Sequence, residues 1–200
     1  RMQLIRNHAE ASVEFTGLKD ITNMIGYNYR MTELSAAIAI VQLRNIKKHV
    51  ELRKRLSEKL STYVSNLPGL TPPSIRKGCS HVYYGWVLDY DEKKIGIKRD
   101  LFVKALNAEG FPCYGGYCKP LYTLPIFQNR KALGRDNFPF NLTKIKYSKG
   151  LCPNAERLHK TSLIVFQPCA YDLSVNLIKK FGKAINKVYK LRKELNNMKD

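Results

Sequence analysis

Gly26-Tyr27-Asn28-Tyr29-Arg30-Met31-Thr32-Glu33-Leu34 stands directly before the longest uninterrupted helical pattern of the chain. From Thr32 to Leu67 there is no Pro or Gly, and Leu34, Ile38, Val41, Leu52, Leu56, Leu60 and Val64 keep helical spacing. Pro68-Gly69 then stops the pattern. A helix of that length would run for about 50 Å, more than a small core needs, so it is expected to connect two bodies. The charges near His49 would also permit a break into two packed helices.

Downstream, His81 to Leu88 is rich in β-branched and aromatic residues and predicts a buried strand, ended by the polar stretch Asp89 to Lys94. Arg99 to Glu109 places Leu101, Phe102, Ala105 and Leu106 on one helical face, with Gly110 as its stop and a short strand expected from Phe111. Gly115 to Lys149 has no sustained period and predicts a long ordered loop or lid. A short helix from Pro153 to His159, a strand Leu163–Phe166 and an amphipathic helix from Val175 to Leu191 complete the pattern. The expected fold class is α/β, a compact unit over residues 68–200 hung from the connecting helix 32–67.

Lys plus Arg number 35 against 16 Asp plus Glu, a formal charge of +19. The excess is spread along helical segments, where solvated faces opposite an apolar stripe account for it without a ligand. A basic module that binds nucleic acid through lysines and the twelve tyrosines is the competing reading, and no recognisable nucleic-acid motif supports it. No apolar run reaches the roughly 20 residues of a membrane span. Five cysteines without a C-x-x-C pair argue against a disulfide framework or zinc ribbon and for a reducing, cytoplasmic setting; no metal site is expected. Arg1 in place of Met gives the amino terminus the look of a cut.

No P-loop, G-x-G-x-x-G, G-x-S-x-G or H-E-x-x-H occurs. Chemistry therefore centres on the opening block, where the Asn28 amide and the Arg30 guanidinium are both suited to an anionic oxygen. The plainer alternative is a turn in which Asn28 and Thr32 only cap the helix.

Arg6-Asn7-His8, Gly26-x-Asn28-Tyr29-Arg30-Met31-Thr32-Glu33-Leu34-x-Ala36-Ala37-Ile38, His81-x-Tyr83-Tyr84, Gly116-Tyr117-x-x-Pro120-Leu121-Tyr122 and Cys152-Pro153-x-Ala155-Glu156, in this order, resemble the DegT/DnrJ-type sugar aminotransferases. The resemblance implies the carboxyl-terminal portion of a fold-type I enzyme dependent on pyridoxal 5'-phosphate, a homodimer with shared active sites. It further implies glutamate or glutamine as amino donor and a nucleotide-sugar or cyclitol ketone as acceptor. By this resemblance residues 1–31 end the large cofactor domain, and the lysine that carries the cofactor lies upstream of the matched region. Lys119 is not promoted to that role, so no catalytic residue is assigned. Asn28 matches the asparagine that reaches a neighbouring subunit's cofactor phosphate, and Arg30 an adjacent anion contact on the substrate side. His81, Tyr117 and Tyr122 fall in segments bordering the substrate pocket, although each is equally readable as a packed aromatic or satisfied histidine. Ala9 stands where members usually carry Gly, and Ser35 where Gln is common. A split-enzyme partner that assembles with a lysine-bearing chain is a further alternative.

Overall fold

The computed structural model describes residues 2–9 and 25–195; the remainder of the segment expected to end a large domain, residues 10–24, lies outside them. The chain divides between His49 and Val50 into two compact units. In the first, helix α1 (Met2–Arg6) leads into backbone pairing with residues 27–29. Helix α2 (Glu33–Thr62) follows, unbroken at His49 and ending five residues short of Leu67. The residues after Thr62 close in turns through Tyr63→Leu60 and Val64→Ser61 backbone bonds, because Pro68 and Gly69 lie too near for another helical turn.

Along α2 the same apolar spacing has two fates. Leu34, Ile38 and Val41 are 80, 66 and 53% exposed, whereas Leu56 and Leu60 are buried in the core of the second unit.

The second unit is built on a four-stranded antiparallel sheet in the order β1-β2-β4-β3. Strand β1 (Leu70–Thr71) occupies the Pro-rich turn and was not signalled by its two residues. Strand β2 is Trp86–Tyr90, not His81–Leu88. Tyr83 takes a φ of 50° and its N–H is donated to His81 Nδ1, which ends any extended run before Gly85. Asp89 and Tyr90 instead belong to the strand, pairing with β4 and β1, and Tyr90 is buried with its hydroxyl on the Ile97 carbonyl.

Asp91 accepts from the Lys93 and Lys94 amides and so starts a short helix, α3 (Glu92–Ile95), within the stretch read as polar loop. Helix α4 (Arg99–Ala108) agrees with its pattern, and β3 forms at Tyr114–Gly115, three residues later than Phe111. Phe111 is instead fully buried. The 115–150 region is ordered by a short helix α5 (Pro125–Gln128) and two 3-10 turns, Leu121–Thr123 and Phe140–Leu142.

Helix α6 (Pro153–Arg157) ends before His159 because the chain widens into a π turn, Leu158–Ser162, ahead of β4 (Leu163–Phe166). Arg157 holds that turn by donating to Ser162 Oγ and Asp89. Helix α7 (Val175–Leu195) closes the unit. It buries Ile178, Phe181, Ile185 and Val188, and Gly182 lets the Tyr63 ring lie where a Cβ would sit at 2.4 Å. Phe111, Phe166 and Phe181 form an aromatic cluster in the core, with Phe181 edge-on to the other two rings, and Trp86 meets Phe111 edge-on.

Candidate functional site

In the first unit, residues 5–8 pair with 27–29 through Tyr27 N–H to Ile5 carbonyl (2.7 Å), His8 N–H to Tyr27 carbonyl and Tyr29 N–H to Arg6 carbonyl. The two strands approach so closely at Gly26 that a Cβ there would lie 2.1 Å from the Ala9 nitrogen. Only glycine fits. Asn28 faces Asn7 across an antiparallel bridge, and its Oδ1 accepts the Arg30 N–H at 3.4 Å. Both Asn28 and Arg30 are exposed. Thr32 caps α2, with its Oγ1 accepting the Ser35 N–H and its hydroxyl donating to Ser35 Oγ. Capping is thus the task of Thr32, and the Asn28 side chain keeps its NH2 group uncommitted among the described residues.

In the second unit, β3 leads into the loop carrying Tyr117 and Tyr122. Arg99, 6% exposed, underlies this exit. Its Nη1 donates to the His159 carbonyl (2.8 Å) and the Leu163 carbonyl, while Nε and Nη2 hold Asp100. A Cβ on Gly115 would lie 2.6 Å from Arg99 Nε, and one on Gly116, at φ +69°, would lie 2.7 Å from the His159 carbonyl oxygen. The two glycines lie flat on Arg99 and His159, and Tyr117 leaves from them 52% exposed. The neighbouring Tyr84 phenol holds the Tyr117 phenol above its ordinary pKa.

His81 is half-buried against the Tyr83 ring, with ring centroids 4.3 Å apart, and its Nδ1 is occupied by the Tyr83 N–H. Tyr122 is buried and donates to Glu156; burial first, then this bond, raises its pKa. The same carboxylate accepts the Gly150 N–H at 2.6 Å, and the two donated bonds hold its pKa below the ordinary carboxylate range. Glu156 thereby ties both ends of the 122–150 segment. Inside that segment Arg130 gathers the Phe140, Thr143 and Ile145 carbonyls, and Phe127, Phe140 and Tyr147 pack edge to face. Tyr84 and Glu156 stand in the resembling blocks, and Arg99 and His159 at helix ends, without a role of their own, because a buried or shared hydrogen bond leaves no periodic trace.

A cavity of about 450 Å³ lies between α3 and the π turn, lined by Thr71, Asp89, Asp91, Glu92, Arg157 and Ser162 among others, and none of the expected site residues reaches it. Among the described residues no group of three His, Cys, Asp or Glu is placed to hold a metal ion. No described helix is long and apolar enough to cross a membrane.

Residues 1–162 match the DegT/DnrJ/EryC1/StrS aminotransferase family. The spore coat polysaccharide biosynthesis protein SpsC of Bacillus subtilis is 27% identical over 114 residues, covering 57% of this chain and 29% of that protein. The L-glutamine:2-deoxy-scyllo-inosose aminotransferase of Streptoalloteichus tenebrarius is 32% identical over 127 residues, covering 60% and 30%. The aminotransferase of Psychrobacter cryohalolentis superposes with a TM-score of 0.72 at 20% identity, covering 94% of this chain and 48% of that one, which shows a shared fold. The chain spans 28 to 38% of the length of the curated relatives it matches. With four fifths of its residues inside the matched region, the chain belongs to the DegT/DnrJ/EryC1/StrS aminotransferase family.

Proposed function

We propose that this chain supplies the carboxyl-terminal part of a pyridoxal phosphate-dependent aminotransferase that moves an amino group from glutamate or glutamine onto a ketone of a nucleotide-sugar or cyclitol. The observation that carries the reading is the family match, which runs through both the Asn28 turn and the Tyr117 loop. Solved members of the fold include cofactor-bound structures.

The donor chemistry of the Asn28 turn fits one edge of a phosphate. The Asn28 amide keeps its two N–H donors once its Oδ1 is taken by Arg30 N–H, and Arg30 is likewise exposed. Asn28 would hold the cofactor phosphate across a homodimer with shared active sites, and Arg30 would give an adjacent anion contact on the substrate side. When bound, pyridoxal phosphate supplies the electron sink for charge on the substrate carbon. Tyr117, exposed at the loop after β3, offers a hydroxyl to an acceptor sugar, and His81 retains Nε2 for the same purpose. Tyr122, with its hydroxyl committed to Glu156, would shape the wall of the pocket. The lysine that carries the cofactor is assigned to no residue of this chain.

Absorbance titration with pyridoxal phosphate tests the reading on the full reading frame that contains this chain. The expected result is a bound-cofactor band, weakened about tenfold or more in affinity by Asn28→Asp, which sets a carboxylate against phosphate. Tight cofactor binding and turnover by residues 1–200 alone would overturn the division of labour.

A further inference from the structure

We propose that the exposed face of α7 docks the phosphodiester backbone of a single-stranded nucleic acid, independently of the aminotransferase reading. Seven of the charged side chains on α7 are basic and Glu194 alone is acidic. At 100° per residue, Lys179, Lys180, Lys183, Lys187, Lys190 and Lys193 fall within an arc of about 140°, opposite the buried Ile178, Phe181, Ile185 and Val188. All six lysines are exposed, over about 21 Å of helix. Lys187 pairs with Glu109 at 2.7 Å, and the other five have no ion-pair partner among the described residues.

An ordinary solvated face mixes signs at three- and four-residue spacing. Here Lys179 faces Lys183, Lys183 faces Lys187 and Lys187 faces Lys190; Glu194 enters the arc only at its carboxyl-terminal end, four residues from Lys190, and no acidic residue occupies the first turn, where the helix dipole favours one. The face therefore carries a built-in repulsion that a polyanion relieves. The α2 helix differs, since Glu33, Glu51 and Glu58 interrupt its basic residues.

A shallow, open groove of about 410 Å³ lies on the carboxyl-terminal half of the stripe, lined by Lys183, Asn186, Lys187, Lys190 and Leu191. The apolar face that an interfacial helix inserts into a bilayer is spent on the protein's own core, which favours a soluble polyanion. A flexible single strand can set its phosphates against lysines one helical turn apart. No aromatic side chain lines the groove, so recognition would be electrostatic and independent of sequence.

Fluorescence anisotropy of a labelled oligothymidylate across a salt series tests this. It compares a triple variant, Lys179→Gln, Lys183→Gln and Lys190→Gln, with one that removes the same charge from the exposed Lys144, Lys146 and Lys149. The α7 variant is expected to lose about tenfold or more in affinity and to flatten the slope of log K against log salt by about two. The loop variant should change neither by half as much. Equal losses in the two variants, or none, would overturn the proposal, as would retained oligonucleotide binding with lost binding to phosphatidylserine vesicles. Acetylation footprinting of the unaltered chain gives a second reading: the oligonucleotide should shield Lys183 and Lys190 more than Lys144 and Lys149, and uniform shielding counts against docking at α7.

Discussion

Ala9 sits buried at a φ of 61°, in the left-handed region that costs an L-residue with a Cβ about 1 kcal/mol relative to glycine. This gives a physical meaning to a position where the family resemblance leads one to expect Gly. Ala9→Gly is expected to raise stability by about 1 kcal/mol in urea unfolding; an unchanged or lower midpoint would refute the strain. Glu156 makes the pH-dependent prediction. Its folded pKa is depressed by the Tyr122 and Gly150 donors, so its contribution is complete above the ordinary carboxylate pKa and is lost as pH falls through the folded value. The protection factors of amides in residues 122–150, taken relative to the intrinsic exchange rate at each pH, should fall on acidification from neutral pH toward the acid side of that value, and Glu156→Gln should show the lower protection already at neutral pH. Cys113 is buried, and burial pushes its thiol up to about 12, whereas Cys79, Cys118, Cys152 and Cys169 are exposed. Iodoacetamide at neutral pH should alkylate those four and spare Cys113 until the chain unfolds.

At the scale of elements, one helix carries an apolar stripe whose two halves have different energetic weight. Leu60→Ala on the buried half of α2 should cost about 3 kcal/mol through lost burial and a cavity, while Leu34→Ala, 80% exposed, should cost almost nothing in the same chain. Comparable losses would mean that the amino-terminal half is packed in solution. Periodicity announced both halves alike, because it reports which face is apolar and not what covers it. The strand at His81 failed for a related reason. Aromatic and β-branched content favours extended backbone, but the His81 ring offered Tyr83 a nearer acceptor and turned the chain before Gly85. Arg99 illustrates the opposite case. A lone arginine at a helix start reads as solvated, yet it joins α4, the π turn and β3, so Arg99→Met should destabilise by about 3 kcal/mol and loosen the Tyr117 loop in hydrogen exchange.

At the scale of the whole molecule, Met31, Leu34, Ile38, Val41 and Leu43 remain open to solvent in the unit that ends at His49. Exposed apolar surface of this kind drives association. The isolated chain is expected to self-associate in size-exclusion chromatography, and Leu34→Glu with Ile38→Glu to increase the monomer fraction; a monodisperse, cooperatively melting parent chain would contradict this. The sequence by itself determined the family, the helices α2, α4 and α7 and the strand β4, and singled out Asn28 and Arg30 as side chains suited to an anion, since periodicity, stop signals and spaced motifs are local and survive in one dimension. Only the tertiary structure decided that Glu156 ties down the loop of Tyr122, that Arg99 and His159 carry the glycines before Tyr117, and that the sheet is antiparallel. The first two outcomes rest on hydrogen bonds between residues 34 to 64 positions apart and the sheet on strand pairs 18 to 80 apart, and no local pattern selects such partners until the core has brought them together.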